Sequence, residues 1–149
     1  MTQDEILDSI NTYGFIAIPE YAEDTSFIKK ECENILKQED ESDYLFGKAS
    51  RIGSFFDNRS TNPSISNFFG QNWMFQVFQK YSGKAPNFNE IFVQHDYRSD
   101  RGINRNGILH FDRIWTFKYM LYLTDVDKDS APFSVVPGSH KDGSRLRTR

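Results

Sequence analysis

The stretch that decides the fold reads LHFDRIWTFKYMLYLT and covers residues 109–124. In an extended strand, side chains two positions apart project from the same face of the backbone. The pattern predicts a short strand over Ile108–Asp112, with His110 and Asp112 side by side on one face. A longer strand is predicted over Trp115–Thr124. The stretch therefore offers an imidazole and a carboxylate next to each other on a rigid element.

The side chains of His110 and Asp112 are a candidate metal site. One imidazole nitrogen and one carboxylate form a chelating pair, and two of the three ligands in the non-haem Fe(II) facial triad are of this kind. Zinc accepts the same ligand types, so the pair alone does not choose the metal. A His-x-Asp motif is short enough to arise by chance, and an exposed histidine beside an acid is the alternative interpretation.

Helical patterns dominate the first half of the chain. Thr2–Glu5 matches the capping box, and the helix that it begins is predicted to end at Gly14. A second helix is predicted after Asp24-Thr25, with an apolar stripe that includes Phe27. Asn62-Pro63 is typical of an N-cap followed by proline at the first helical position, and an aromatic stripe then continues to a glycine at position 83.

Other short strands are bounded by proline, glycine or acidic turns. They are predicted at Phe15–Pro19, Ile52–Phe56, Phe88–Tyr97 and Phe133–Val136. Aromatic residues make up 15% of the chain and concentrate in its second half, as expected of half-buried strands. Helices followed by consecutive strands predict an α+β chain whose β part is a sandwich or barrel.

Composition excludes several classes of protein. The 18 Lys and Arg residues against 21 Asp and Glu residues give a net charge of −3, which argues against a nucleic-acid partner. A single cysteine excludes a scaffold of internal disulfides. The acidic start lacks the basic and apolar regions of a signal peptide, and no apolar run is long enough to cross a membrane. We expect a soluble cytoplasmic protein.

Three further motifs carry a family resemblance. Leu123–Val126 ends a predicted strand with Leu-Thr-Asp-Val, Ala131–Phe133 stands where the family has Gly-Pro-Phe, and Val136–Lys141 reads Val-Pro-Gly-Ser-His-Lys. Near the start, Tyr13–Pro19 precedes an amphipathic helix. Together with the His-x-Asp motif, these residues resemble the phytanoyl-CoA dioxygenase family of Fe(II)- and 2-oxoglutarate-dependent oxygenases.

The resemblance implies a fold, a cofactor and an activity. The fold would be a partial double-stranded β-helix, jelly-roll or cupin-like, with residues 1–86 as a mostly helical flank and residues 87–149 as its first strands. His110 and Asp112 would bind Fe(II), and 2-oxoglutarate would be the co-substrate. The activity would be the hydroxylation of a small organic substrate.

Two polar side chains are candidates for contacting 2-oxoglutarate. Tyr122 shares one face of its predicted strand with Lys118 and Met120, and its hydroxyl is suited to donate to a carboxylate. Gln94 lies on the neighbouring predicted strand, Phe88–Tyr97. Packing or solvent exposure is the alternative role for both.

His140 would complete a His-x-Asp…His set, but in the family the histidine of this turn is not the distal ligand. The resemblance implies that the distal histidine, and the arginine that pairs with 2-oxoglutarate, come later than Arg149. We therefore expect the 149 residues to be the N-terminal part of an oxygenase domain, inactive as this chain. Strands without partners keep open edges and exposed apolar side chains, which favour self-association.

Whether the chain is an enzyme stays open, because two other interpretations remain. The first is a non-catalytic β-sandwich module that binds a small ligand or a partner chain. The second is a zinc hydrolase that uses His110, Asp112 and His140, although it lacks a convincing general base. The sequence does not identify the substrate.

Overall fold

The computed structural model shows five helices and two strands among the residues that it describes. The elements are α1 (Gln3–Tyr13), α2 (Ser26–Leu36), β1 (Gly47–Arg51), α3 (Pro63–Phe69), α4 (Asn72–Ser82), β2 (Phe92–Asp96) and α5 (His140–Arg147). The structure describes residues 1–22, 24–38, 47–51, 60–85, 91–96, 109–110, 112, 115–130 and 132–147, with the backbone alone in 47–51 and 144–147.

Helix α1 begins and ends as its local motifs predict. The amide of Glu5 donates to the Thr2 hydroxyl at 3.2 Å, and the amide of Thr2 donates to the Glu5 carboxylate at 2.6 Å, which completes the capping box. Gly14 adopts a left-handed conformation with φ of 87°, and its amide donates to the carbonyl of Ile10 at 2.9 Å. Ile10 is buried on the inner face of the helix.

Helix α2 follows Thr25 as predicted, but its apolar stripe is narrower than expected. Ile28 and Leu36 are buried, whereas Phe27 is 69% exposed, so its assignment to the buried stripe is wrong. Phe27 and Ile28 are adjacent, and adjacent residues on a helix point about 100° apart. Burying Ile28 therefore turns Phe27 towards solvent.

The helical stretch predicted from Asn62-Pro63 to Gly83 is two helices rather than one. Helix α3 ends at Gly70, whose amide donates to the carbonyl of Ser66 at 2.9 Å. Helix α4 then continues to Gly83, which adopts the left-handed conformation typical of a helix end.

Two small hydrophobic cores hold these helices. The first is built on buried Ile28, Ile65 and Ile91, and the second on Ile6, Ile10 and Val77. The segment 115–124 contacts both cores. Its residues Leu121 and Leu123 pack on the first core, and Phe117 packs on the second.

Strands β1 and β2 pair antiparallel, with Gly47 opposite Asp96 and Arg51 opposite Phe92. The strand predicted over Phe88–Tyr97 is thus observed over Phe92–Asp96. The pattern did not predict β1. The predicted strand Ile52–Phe56 lies outside the described residues.

The segment 115–124 forms no β-strand in the part of the chain that the structure describes, and neither do residues 15–19 and 133–136. Burial nevertheless alternates along 117–124, with every second residue half-buried, as an extended segment with one packed face requires. After Pro137-Gly138 the chain enters α5, which the sequence pattern did not predict. The jelly-roll fold therefore stays a prediction.

Across the helices that are described, none combines the length with the apolar character needed to cross a membrane.

Candidate functional site

The segment 115–124 is fixed by its inward residues and presents the alternate residues to solvent. The inward Tyr119 is half-buried against α4 and donates its hydroxyl to the carbonyl of Met74 at 2.6 Å. Burial raises the pKa of the Tyr119 hydroxyl far above its ordinary range, so the group stays a donor. Lys118 and Tyr122 lie on the opposite, exposed face. The backbone of the segment is thereby anchored from one side.

Asp112 is paired with Lys118 on this exposed side. The Lys118 Nζ lies 2.8 Å from the Asp112 Oδ2. The hydrogen bond from Lys118 is the main cause that lowers the pKa of the Asp112 carboxyl, against a partial burial that raises it. The charge of Lys118, the nearby His110 and the hydroxyl of Thr116 lower this pKa further. The carboxylate is therefore held in its ionised form, which is the form that binds a metal.

His110 is one of the groups that lower the pKa of the Asp112 carboxyl. The side-by-side placement of the two side chains, which their spacing predicts, stays a prediction. His110 is exposed and Asp112 is half-buried. One imidazole and one ionised carboxylate match two positions of the facial triad, so the donor chemistry fits Fe(II) in part. Among the described residues, no three His, Cys, Asp or Glu side chains come together as a metal site.

The two candidate 2-oxoglutarate contacts both have protein partners. Gln94 Nε2 donates to the two carboxylate oxygens of Asp96, at 2.7 and 2.8 Å, on the same face of β2. The hydroxyl oxygen of Tyr122 accepts from the amide of Phe133 at 2.8 Å. Accepting this bond does not use the proton of the phenol, which is donated separately. Tyr122 therefore keeps a donor for a second acceptor, whereas the Gln94 amide is engaged by Asp96.

The imidazole of His140 packs against the end of α1. A Cβ placed on Gly14 would lie only 2.5 Å from the His140 Nδ1. The turn before His140 is held at the same point, because the amide of Gly138 donates to the carbonyl of Tyr13 at 2.7 Å. Within the described residues, the buried His140 Nδ1 has no hydrogen-bond partner. This docking gives His140 a structural contact, and sequence spacing gave no signal for it.

Helix α3 begins at a carboxylate from another helix. The two oxygens of Glu31, on α2, accept from the amides of Ser64 and Ile65, each at 2.9 Å. Asn62 occupies the N-cap position and Pro63 the first helical position, as the motif predicts, but the Asn62 side chain makes no capping hydrogen bond. The charged, bidentate carboxylate of Glu31 accepts from the first amides of the helix instead.

Several large apolar side chains are exposed on the outer side of this region. The exposed fractions are 55% for Met120, 50% for Tyr122, 60% for Phe133 and 50% for Val136. The hydrogen bond between Tyr122 and the Phe133 amide joins the two segments that carry them.

Comparison of the chain with protein-family models, with curated proteins and with solved structures finds no match in any of the three. The function suggested by the motifs therefore depends on the residues of this chain alone.

Proposed function

We propose that the chain belongs to an Fe(II)- and 2-oxoglutarate-dependent dioxygenase, of the phytanoyl-CoA dioxygenase kind, that hydroxylates a small organic substrate. The observation that carries the proposal is the Asp112 carboxylate, held ionised beside Lys118 and two positions after His110 in the chain. The motifs in Leu123–Val126 and Val136–Lys141 support it.

In this proposal each residue has a separate task. His110 and Asp112 would hold the iron, and the phenolic hydroxyl of Tyr122 would donate a hydrogen bond to a carboxylate of 2-oxoglutarate. Gln94 is a second contact to that carboxylate, on the condition that it leaves Asp96. When bound, the iron and 2-oxoglutarate supply the oxidising chemistry, and the chain supplies position and orientation.

Among the described residues, this site has two candidate protein ligands of the facial triad. With two protein ligands, we expect weak metal binding and no turnover by the 149-residue chain. These two expectations are separable, since binding and turnover are measured independently.

The test measures Mn²⁺ binding by the loss of the electron paramagnetic resonance signal of the free ion. Mn²⁺ prefers nitrogen and oxygen donors, so it avoids the thiol of Cys32. We expect His110→Ala and Asp112→Asn each to lose most of the binding, and His95→Ala, on β2, to retain it. Adding 2-oxoglutarate should tighten Mn²⁺ binding to the wild-type chain and leave Asp112→Asn unchanged.

Equal binding by His110→Ala and His95→Ala would show that the pair is not the metal site. Succinate release from 2-oxoglutarate is measured on the same samples, and clear turnover by this chain would contradict the expectation that it is inactive. Such turnover would favour His140 as the third metal ligand.

A second candidate is a non-catalytic β-sandwich binding module. The exposed side chains of Met120, Phe133 and Val136 favour it, because apolar surface of this kind marks interaction sites. Sedimentation analysis separates the candidates: a chain that self-associates or captures a partner, without binding Mn²⁺, favours the module.

A further inference from the structure

We propose that Lys118 is an internal counter-cation of the metal site, which competes with a divalent ion for the Asp112 carboxylate. This inference rests on the proposed function, because it concerns the same carboxylate. It makes Lys118 a positioning residue that lowers the affinity of the site for metal.

The geometry makes the ammonium and a metal ion competitors for one oxygen of the carboxylate. The Lys118 Nζ is 2.8 Å from the Asp112 Oδ2, and a metal on a carboxylate oxygen sits at about 2.0–2.2 Å. Both cations on one oxygen would lie within about 5 Å of each other, where like charges repel even in a polar medium. A metal on Oδ2 therefore displaces the ammonium, and a metal on Oδ1 binds against its charge.

Displacing Lys118 requires no movement of the backbone. The Lys118 side chain is 53% exposed, so its charge is readily solvated by water after it leaves Asp112. The neighbouring positions Phe117 and Tyr119 point inwards and anchor the segment, through ring packing and through the hydrogen bond to Met74. Only a flexible side chain changes partner.

Lys118→Met tests this inference, because it keeps an unbranched side chain of nearly the same length and removes the charge. We expect Lys118→Met to bind Mn²⁺ about three- to tenfold more tightly than the wild-type chain, since one exposed ion pair and one repulsion are removed. Lys118→Arg keeps a cation at the same place and should stay within about twofold of wild type. Lys128→Met, at an exposed turn, is the control for the loss of one positive charge and should also stay within about twofold.

The outcomes distinguish this inference from the proposed function. Tighter binding by Lys118→Met alone supports the displacement. Equal or weaker binding by Lys118→Met, with His110→Ala and Asp112→Asn still losing binding, overturns the role of Lys118 and leaves the metal site standing. Absence of Mn²⁺ binding by the wild-type chain and by Lys118→Met overturns both. A gain of equal size in Lys118→Met and Lys128→Met overturns the role of Lys118, because net charge then explains the effect.

Discussion

Replacing Glu31 by alanine should destabilise the fold more than the same replacement at any other polar residue of α2. The two oxygens of Glu31 accept from the amides of Ser64 and Ile65, each at 2.9 Å, in a half-buried position. Hydrogen bonds to charged groups contribute about 1.5–3 kcal/mol each, and loss of a helix cap costs about 0.5–2 kcal/mol. The two bonds share one carboxylate, and water partly replaces them in the variant. We therefore expect Glu31→Ala to lower the free energy of unfolding by about 2–3 kcal/mol.

Urea denaturation, followed by circular dichroism and by tryptophan fluorescence, measures this loss. For a chain of this length, each kcal/mol lowers the melting temperature by about 2–4 °C. Glu31→Gln keeps one acceptor oxygen and turns an amide group towards the other amide, so it should lose about half as much. Glu33→Ala, on the exposed side of α2, is the matched control for helix propensity and charge.

Hydrogen exchange gives a local measurement of the same contact. The amides of Ser64 and Ile65 should exchange faster in Glu31→Ala, relative to amides in α1, which has its own cap at Thr2. If Glu31→Ala unfolds no more easily than Glu33→Ala, the carboxylate does not cap α3 and the reasoning fails.

Gly14→Ala should destabilise the fold more than Gly83→Ala. Both glycines have positive φ, but an added Cβ at position 14 meets His140, whereas at position 83 it meets nothing within 4 Å. The left-handed conformation costs about 1–2 kcal/mol for alanine, so the excess measures the clash. Adding His140→Ala, which removes the ring but keeps the Cβ, should remove most of that excess in thermal unfolding. Burial first, and then the charge of Glu31, raise the pKa of the Cys32 thiol to about 11. At pH 8 iodoacetamide should therefore modify the folded chain about a hundredfold more slowly than the urea-unfolded one, and equal rates would contradict the burial. The thiol loses its proton at a lower pH in the unfolded chain than in the folded one. The free energy of unfolding is therefore intact below about pH 9 and falls as the pH rises to 11. Urea titrations at each pH should show a smaller alkaline fall for Cys32→Ser.

Signals that lie within a few residues of each other predicted the structure well. The limits of α1 follow from Thr2 and Glu5 in its first turn and from Gly14 after its last turn, and each acts on amides or carbonyls a few residues away. The start of α2 after Thr25 and the end of α4 at Gly83 follow from similar local signals. These contacts need no knowledge of what packs against the helix.

Features that depend on contacts between distant residues were not predictable. Glu31, and not the side chain of the N-cap residue Asn62, accepts from the first amides of α3 because α2 and α3 pack together, and a sequence pattern cannot show that packing. The pairing of β1 with β2 depends in the same way on a partner more distant in the chain. For the candidate site, the spacing of His110 and Asp112 predicts a chelating pair, but it gives no signal for Lys118 as the ion-pair partner of Asp112.

The junction between Tyr13 and Gly138 has a consequence for the order in which the molecule forms. Helix α1 has its own start signal, but the carbonyl of Tyr13 receives its hydrogen bond only when residue 138 has arrived. Closing so large a loop costs entropy that the single bond does not repay, so the junction forms after both cores are in place. The body of α1 therefore forms first, and the state of its final turn reports whether the segment around residue 138 has docked.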